Sequence, residues 1–320
     1  MSVLSDMNLI KFFKNVIDRN SKNIVKGFLL DKKIFDSYSG KIYKGKYIKT
    51  SQEVVVKFCK KEKDWYREVE ALKILNHPNI VKMVGKYENN VKINYDNIGN
   101  VNILAIEYAH CGDLYNFLNV NKTLSEDVSR TIVDQIVEGL IHAYSNNISH
   151  RDIKLENVFI TDSGKIVIGD WGLCSFQSKN RYSESSCGTL GYMAPELLCK
   201  MKYDTSKADV WSLGVLLFSL VSGVRPYSEP KSRKKDDYDT SWRDEWLSCI
   251  LKKDWKLFWK SHENNSEIIF SDDLKDLLEK CLDPKFNTRI GITVLNQHKW
   301  FNGNYVDDDY IKELSLTRIV

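Results

Sequence analysis

The chain has 320 residues, of which 42% are hydrophobic and 28% charged, and its formal net charge is +4 at pH 7. This composition is ordinary for a globular protein, and so small a charge argues against nucleic acid as a partner. Seven cysteines without a Cys-x-x-Cys pair argue against a disulfide framework and a zinc site, and they favour a reducing compartment, cytosolic or nuclear.

The chain shows no secretory signal and no transmembrane segment. Met1 to Ile10 lacks a basic region followed by an uninterrupted apolar stretch. The longest apolar run, Val210 to Val224, contains serines and is too short to span a bilayer. We therefore expect a soluble protein in which this run forms a buried helix.

The N-terminal segment predicts an amphipathic helix within an extension over residues 1–27. Its apolar residues recur at helical spacing, at Leu9, Phe12, Phe13, Val16 and Ile17. We expect this helix to pack on the domain that follows. A helix that docks on a partner or on a membrane surface is the alternative.

From about residue 28 to 106, short β-rich runs alternate with turns and are interrupted by one helical pattern. The β-branched run Glu53 to Phe58 predicts a strand. Trp65 to Leu75 predicts a helix that ends at His77-Pro78, because a proline disfavours helical backbone before it. The Asn-rich stretch from Asn89 to Asn100 predicts a loop or a hairpin tip.

After Leu114 the pattern becomes helical. Ser125, followed by two acidic residues, predicts the N-cap of a helix that runs to about Tyr144. The mixed-charge run Lys231 to Glu245 predicts an exposed insertion. The plan is therefore a small β-rich lobe followed by a larger helical lobe.

The stretch His150-Arg151-Asp152-Ile153-Lys154-Leu155-Glu156-Asn157 carries the most chemical information. Phosphoryl transfer needs positioning and charge neutralisation more than covalent chemistry. Asp152 supplies a carboxylate to orient an incoming hydroxyl, Lys154 a cation, and Asn157 an amide oxygen for a metal ion. Each alone is an ordinary surface residue, but the three in this order are a specific pattern.

This stretch resembles the His-Arg-Asp catalytic loop of the eukaryotic protein kinase family, serine/threonine branch. Asp170-Trp171-Gly172 is similar to the family's Asp-Phe-Gly motif, and Ala194-Pro195-Glu196 to its Ala-Pro-Glu motif. Asp209 and Arg289 stand where the family carries scaffold residues of the large lobe. The resemblance runs from about residue 28 to 301, and its motifs are in family order.

The resemblance implies a bilobal α+β fold, with an N-lobe of about 28–106, a C-lobe of about 110–301 and a tail over 302–320. It also implies ATP and Mg²⁺ as cofactors, with Asn157 and Asp170 as the metal ligands. Lys57 should hold the α- and β-phosphates, with Glu68 fixing its ammonium group.

Further nucleotide contacts follow from the same resemblance. Ile34, Gly40 and Ile42 belong to the phosphate-covering loop, and Glu107 and Ala109 to the linker that would meet the adenine edge. Asp113 would lie near the ribose. The alternative for the linker is an ordinary strand end.

The resemblance also points to substrates and regulation. Lys154, two residues after Asp152, and Thr189 resemble the serine/threonine branch, so protein Ser/Thr hydroxyls are the expected acceptors. Glu156 and Asp113 hint at a preference for basic residues upstream of the acceptor. Phosphorylation of Ser185, by an upstream kinase or by the chain itself, would pair with Arg151 and order the activation segment. A plain serine-rich loop is the alternative.

The glycine-rich loop departs from the family pattern Gly-x-Gly-x-x-Gly-x-Val. Aligned here, it begins with Phe35 where the first glycine belongs, has Ser37 at the second, and keeps only Gly40. Side chains at the first two positions hinder close approach of the backbone to phosphate, and Asp36 adds like charge. A pseudokinase that scaffolds partners is therefore the alternative to an active kinase.

Overall fold

The computed structural model describes residues 23–37, 40–93, 99–177, 182–199, 201–227, 241–252, 254–263 and 268–316. The chain divides into two compact units, and each is described by itself. Unit 1 contains the residues up to Lys73 together with Lys82–Tyr108, and unit 2 contains Ile74–Val81 and everything from Ala109 onward. The predicted N-terminal helix lies outside the described residues.

Unit 1 is built on a six-stranded antiparallel sheet of order β1-β2-β3-β4-β6-β5. Its strands are β1 Ile24–Val25, β2 Phe28–Ser37, β3 Gly40–Tyr47, β4 Gln52–Cys59, β5 Met83–Ile93 and β6 Gly99–Glu107. The strand predicted over residues 53–58 is thus confirmed as β4. The stretch 89–100, predicted as a loop or a hairpin tip, includes the ends of a hairpin: β5 continues to Ile93, which pairs with Gly99 at the start of β6, so the connection is shorter than predicted.

The two faces of the sheet differ in polarity because successive side chains of a strand alternate. On β4, Val54, Val56 and Phe58 are buried in the core of unit 1. Lys57 belongs to the other face, where its cross-strand neighbour is Ile42 of β3. This alternation places an ammonium group on the face opposite the core.

A single described helix, α1 (Glu62–Ile74), follows β4. It begins with acidic residues and ends with Lys73, as the helix dipole favours. Trp65, Glu68 and Leu72 are among its buried residues. The predicted helix is confirmed, beginning three residues earlier than expected.

Unit 2 is mainly helical. Its helices are α2 Leu114–Asn121, α3 Glu126–Ser145, α4 Pro195–Leu198, α5 Thr205–Ser222, α6 Ser241–Leu251, α7 Trp255–Glu263, α8 Asp272–Cys281, α9 Ile292–Leu295 and α10 Asp308–Leu316. Ser125 caps α3 through the backbone amide of Val128, as predicted. The apolar run that begins at Val210 lies in α5, which is buried along nearly its whole length.

Short strand pairs complete unit 2. They are β7 Ile148–Ser149 with β10 Ser175–Phe176, β8 Val158–Ile160 with β9 Ile166–Ile168, and β11 Tyr182–Ser183 with β12 Tyr203–Asp204. The segment Ile74–Val81 joins this unit because its backbone bonds to β9: Ile168 donates to the carbonyl of Asn79, and Val81 donates to the carbonyl of Ile168. These short strands hold the loops that carry the candidate catalytic residues.

The predicted insertion over residues 231–245 is only partly described. Residues 231–240 lie outside the described part, whereas residues 241–245 begin helix α6, in which Asp244 is exposed. In α6, Trp246, Leu247 and Ile250 are buried. Within the described residues, no helix combines the length and the apolar character that a membrane crossing requires.

Candidate active site

The predicted catalytic loop lies between β7 and β8 and closes with a 3₁₀ turn over Leu155–Asn157. Arg151 has φ of 71°, a left-handed conformation that costs energy for a residue with a Cβ. Asp209 of α5 compensates for it: its two carboxylate oxygens accept the backbone amides of His150 at 2.8 Å and Arg151 at 2.7 Å. A buried carboxylate therefore braces the loop.

Asp152 is the centre of a polar network. Its Oδ1 accepts the hydroxyl of Thr189 at 2.8 Å, and its Oδ2 accepts the ammonium of Lys154 at 2.8 Å and the amide of Asn157 at 3.1 Å. Lys154 also donates to the Thr189 hydroxyl at 2.7 Å. The structure thus brings together all three predicted catalytic residues, and Thr189 joins them from 37 residues along the chain.

His150 is neutral and rigidly held behind Asp152. Its Nδ1 accepts the backbone amide of Asp152, so the proton is on Nε2, which donates to the carbonyl of Gly169 at 2.9 Å. Burial lowers the pKa of this imidazole. The fully buried Trp171 packs edge-on against it, with ring centroids 4.6 Å apart. The larger ring therefore fits where the family carries Phe.

Gly169 is required by packing. A Cβ there would collide with the ring of Phe159 at 2.8 Å. Its amide donates to the carbonyl of Asn157, which ties the two predicted metal-binding segments together.

The donor set fits Mg²⁺. Asp170 is exposed and in the left-handed region with φ of 55°, so its carboxylate leaves the buried β9. The side-chain amide of Asn157 donates to the carbonyl and to the carboxylate of Asp152. The Oδ1 atom of Asn157 can therefore serve as a metal ligand. Carboxylate and amide oxygens suit this ion, which is usually held by one or two side chains together with phosphates. Among the described residues no cluster of three or more His, Cys, Asp or Glu could hold a metal by itself.

In unit 1, the predicted phosphate-binding pair is formed. The Lys57 ammonium lies 2.7 Å from Glu68 Oε1, and both side chains are largely buried. Burial distinguishes this pair from exposed ion pairs, because solvent screens it less. Glu68 thus fixes the position of Lys57.

The glycine-poor loop is described at residues 35–37 and 40–42. Asp36 lies opposite Lys41, hence on the sheet face away from Lys57, and it pairs with Lys33 at 2.8 Å and Lys41 at 3.6 Å. The hydrogen bond from Lys33 lowers the pKa of Asp36. The negative charge expected to repel a triphosphate is therefore balanced by two lysines and directed elsewhere.

The other predicted loop residues have different surroundings. Gly40 pairs with Cys59 of β4, and a Cβ there would collide with the carbonyl of Phe58. Ile34 is the extra residue at a bulge between β2 and β3 and is 51% exposed. Ile42 lies beside Lys57. The surviving glycine is thus required by the sheet itself.

The predicted linker residues are partly engaged. Glu107 Oε1 accepts the backbone amide of Lys82 at 2.9 Å in unit 1. In unit 2, the carbonyl of Ala109 accepts the amide of Gly112. Asp113 caps α2 by accepting the backbone and side-chain amides of Asn116. Capping gives Asp113 a structural role, and its predicted contact with ribose stays a prediction.

The activation segment places Ser185 beside Arg151, as the predicted pairing of a phosphorylated Ser185 with Arg151 requires. Arg151 Nη2 donates to both the carbonyl and the hydroxyl of Ser185 at 3.1 Å. It also contacts the Cys187 sulfur, and its Nε is buried without a partner. The hydroxyl of Ser186, in contrast, donates to the carbonyl of Leu197.

Arg289, one of the scaffold residues that the resemblance implies, forms a buried ion pair with Glu196. The guanidinium donates to both carboxylate oxygens, at 2.7 and 2.9 Å, and lies over the ring of Trp211. This pair holds α4, which directly follows the activation segment, to the segment before α9.

Sequence reasoning missed two neighbours of this site. Cys187 contacts Arg151, and the guanidinium of Arg225 lies against Gly191, two residues after Thr189. Neither belongs to a motif, so only the folded chain reveals them.

Comparisons with known proteins agree with the motifs. A sequence model of the protein kinase domain matches residues 30–301. The chain is 32% identical over 272 residues to CBL-interacting protein kinase 26 of Oryza sativa subsp. japonica, covering 82% of this chain and 49% of that protein. It is 31% identical over 276 residues to CBL-interacting serine/threonine-protein kinase 15 of Arabidopsis thaliana, covering 82% and 58%.

A third relative is the probable serine/threonine-protein kinase MARK-B of Dictyostelium discoideum, 29% identical over 296 residues, with 90% of this chain and 38% of that protein covered. The chain spans about half the length of the curated plant relatives it matches. Since the domain model covers most of the sequence in one continuous stretch, the chain belongs to the protein kinase family.

Proposed function

We propose that this protein is a serine/threonine kinase that transfers the γ-phosphoryl group of ATP to hydroxyls of protein substrates. The observation that carries the proposal is the network around Asp152, in which Lys154, Asn157 and Thr189 all bond to one carboxylate. This arrangement orients a carboxylate and keeps a cation next to it, as in-line phosphoryl transfer requires.

Each residue has a defined task in this reaction. Asp152 orients the substrate hydroxyl and accepts its proton as the oxygen attacks phosphorus. Lys154, held between Asp152 and Thr189, neutralises charge on the phosphoryl group in transit. Asn157 and Asp170 would hold Mg²⁺, which would neutralise phosphate charge, and Lys57 would bind phosphate oxygens of ATP, the donor of the phosphoryl group.

The scaffold alternative gains no support from these features. Pseudokinases lose the groups that act on phosphate or metal, and Lys57, Asp152 and Asp170 are all present. The relatives named above are described as kinases. The charge of Asp36, one reason to suspect weak nucleotide binding, is balanced by lysines.

The first test is transfer of labelled phosphate from ATP and Mg²⁺ to a generic basic protein and to the chain itself. We expect transfer by the natural chain and a loss of about 10²–10⁴-fold in Asp152→Asn, because the amide cannot accept the proton. Absence of transfer together with no thermal stabilisation by ATP would contradict the proposal and favour the scaffold.

We further propose that phosphorylation of Ser185, by an upstream kinase or by the chain, raises activity. A phosphate there would meet the guanidinium of Arg151, which already bonds to this serine. We expect Ser185→Ala to abolish the activation that follows preincubation with ATP, and Ser186→Ala to preserve it, since Ser186 bonds elsewhere. Full activity after all three serines, Ser183, Ser185 and Ser186, are replaced would refute this mechanism.

For the compartment, we infer the cytosol or the nucleus from the scattered cysteines. Reduced thiols, measured by alkylation of the protein taken directly from cells, are the expected result. Extensive disulfide formation would contradict it.

A further inference from the structure

Arg225 lies beside the activation segment, on an element that the kinase motifs do not include. It follows α5 after Gly223, whose left-handed conformation ends that helix. Its side chain is exposed to solvent, yet its guanidinium lies against the backbone of Gly191. The side chain therefore contacts the activation segment and is also accessible to solvent.

Gly191 and Arg225 are sterically matched. A Cβ on Gly191 would collide with Nη1 of Arg225 and approach its Cζ at 2.8 Å and its Cδ at 3.1 Å. Any other residue at position 191 would therefore displace the guanidinium. The backbone of Gly191 does not need a left-handed conformation, so space for Arg225 is the local reason for this glycine.

Gly191 and Arg225 lie next to the part of the catalytic network that Thr189 contributes. Gly191 belongs to the 3₁₀ turn Leu190–Tyr192, which directly follows Thr189. Thr189 donates to Asp152, the group assigned to the substrate hydroxyl. Arg225 therefore lies against a turn that begins one residue after a member of the catalytic network.

The carboxylate of Glu156, opposite in charge to Arg225, acts on the same neighbouring side chain, Tyr192. The buried ring of Tyr192 follows Gly191, and its hydroxyl hydrogen-bonds the backbone of Leu155. Burial raises the pKa of Tyr192, the carboxylate of Glu156 raises it further, and the guanidinium of Arg225 lowers it. Glu156 and Arg225, both exposed, thus act on one side chain three residues after Thr189.

We infer that Arg225 selects substrates that carry an anionic group, a carboxylate or a phosphate, on a residue close to the acceptor serine or threonine. The inference rests on the kinase function proposed above and names its substrate class. Guanidinium recognises both groups with paired hydrogen bonds, and a neutral amide of the same shape cannot replace them. Glu156 would meet a basic residue of the same substrate.

The test is a positional scan of peptides that differ only by Asp against Asn, or Glu against Gln, around one acceptor serine. The quantity measured is the ratio of kcat/KM for the acidic peptide to that for its amide twin. We expect a ratio of about 3 to 10 at one or two positions, the range of a partly exposed charged hydrogen bond. The ratio should fall as salt is raised, because the charges are screened.

Variants assign the preference to Arg225. In Arg225→Ala the ratio should fall to about 1, in Arg225→Lys it should be partly retained, and in Arg225→Glu it should fall below 1 because like charges repel. Gly191→Ala should lower the ratio without removing the charge, since it displaces the guanidinium. Glu156→Gln is the matched control: it should change the preference for basic residues and leave the acidic ratio as it is.

A second arm separates the two sources of the anion. Peptides with phosphoserine at the selected position should exceed their Asp counterparts if a previously phosphorylated substrate is recognised, and should equal them if a carboxylate suffices. Equal acid-to-amide ratios in the natural chain and Arg225→Ala, with matching thermal unfolding, would overturn the inference. Absence of transfer to every peptide and to the chain itself would instead contradict the kinase function.

Discussion

At the scale of single residues, the candidate catalytic groups are held by polar partners. Asp152 has three side-chain donors, and Lys57 is fixed by Glu68. Asp209 holds two consecutive backbone amides. Such groups lose solvation when they are buried, and their hydrogen bonds compensate. Function and stability therefore depend on the same few contacts.

Asp209 makes a pH-dependent contribution to stability. Burial raises its pKa to about 7, although its hydrogen bonds from Arg151 and His150 lower it. Because the folded protein holds this proton to a higher pH than the unfolded chain, the stabilisation is fully present below pH 3.8 and is lost as the pH rises through about 7. The slope from this group is at most about 1.4 kcal/mol per pH unit.

Asp209→Asn should remove this dependence of stability on pH. It should also lower stability at every pH, because the Asn amide group would place its hydrogens against a backbone N–H that now donates to the carboxylate. The measurement is the free energy of unfolding in urea at about pH 5 and about pH 8 for both proteins. The difference in the free energy of unfolding between the natural protein and Asp209→Asn should shrink as the pH rises. Parallel pH profiles would show that Asp209 titrates in neither state within this window.

At the scale of elements, α3 supports both the loops and the C-terminal segment. One face is buried, while polar residues on it reach distant backbone. Gln135 accepts amides of Asn79 and Ile166 and donates to Asp308. Arg130 donates to the carbonyls of Trp300 and Asn304 at 2.7 and 2.5 Å. One helix thus anchors segments that are far apart in sequence.

Arg130→Ala should detach the stretch from Trp300 to Asn304. The side chain is buried, pairs with Asp127 at 2.7 Å and lies over the Trp300 ring, so we expect a loss of about 2–4 kcal/mol. Amide hydrogen exchange should rise in this stretch. The control is Arg67→Ala in α1, whose ion pair with Asp64 is 3.9 Å long. Unchanged exchange in Arg130→Ala would contradict the anchoring role.

At the scale of the whole molecule, each unit has its own source of stability. Unit 1 depends on the apolar face of its sheet, and unit 2 on the buried helix α5 with the helices packed around it. The aromatic residues of α7 belong to this packing: Phe258 and Trp259 contact Phe218.

The buried pair of Glu196 and Arg289 should contribute most when one partner is removed. Glu196→Ala leaves an unpaired guanidinium whose side chain is 0% exposed, and the expected cost is about 3–5 kcal/mol. Equilibrium unfolding in urea measures it. Lys299→Ala, which breaks an exposed pair with Asp273, should have no measurable effect. A cost of Glu196→Ala below about 1 kcal/mol would mean that water, or the carbonyls of Asp283 and Lys207 to which Arg289 also donates, compensates for the unpaired charge.

The sequence by itself determined what depends on neighbours along the chain. Asp152, Lys154 and Asn157 lie within one short loop, so their order was sufficient to indicate phosphoryl transfer. The cap at Ser125 and the alternation in β4 are also local, because turns and pleats repeat every few residues. The family resemblance added the roles of more distant residues such as Lys57 and Asp170.

Only the tertiary structure decided which distant groups meet. Thr189 reaches Asp152, Arg225 lies on Gly191, and Asp36 turns from Lys57 towards two lysines. Asp113 is used as a helix cap. These outcomes depend on strand register and on packing between segments that are far apart in sequence, and a shift of one residue in register would place Asp36 on the other face of the sheet. No local pattern encodes that choice.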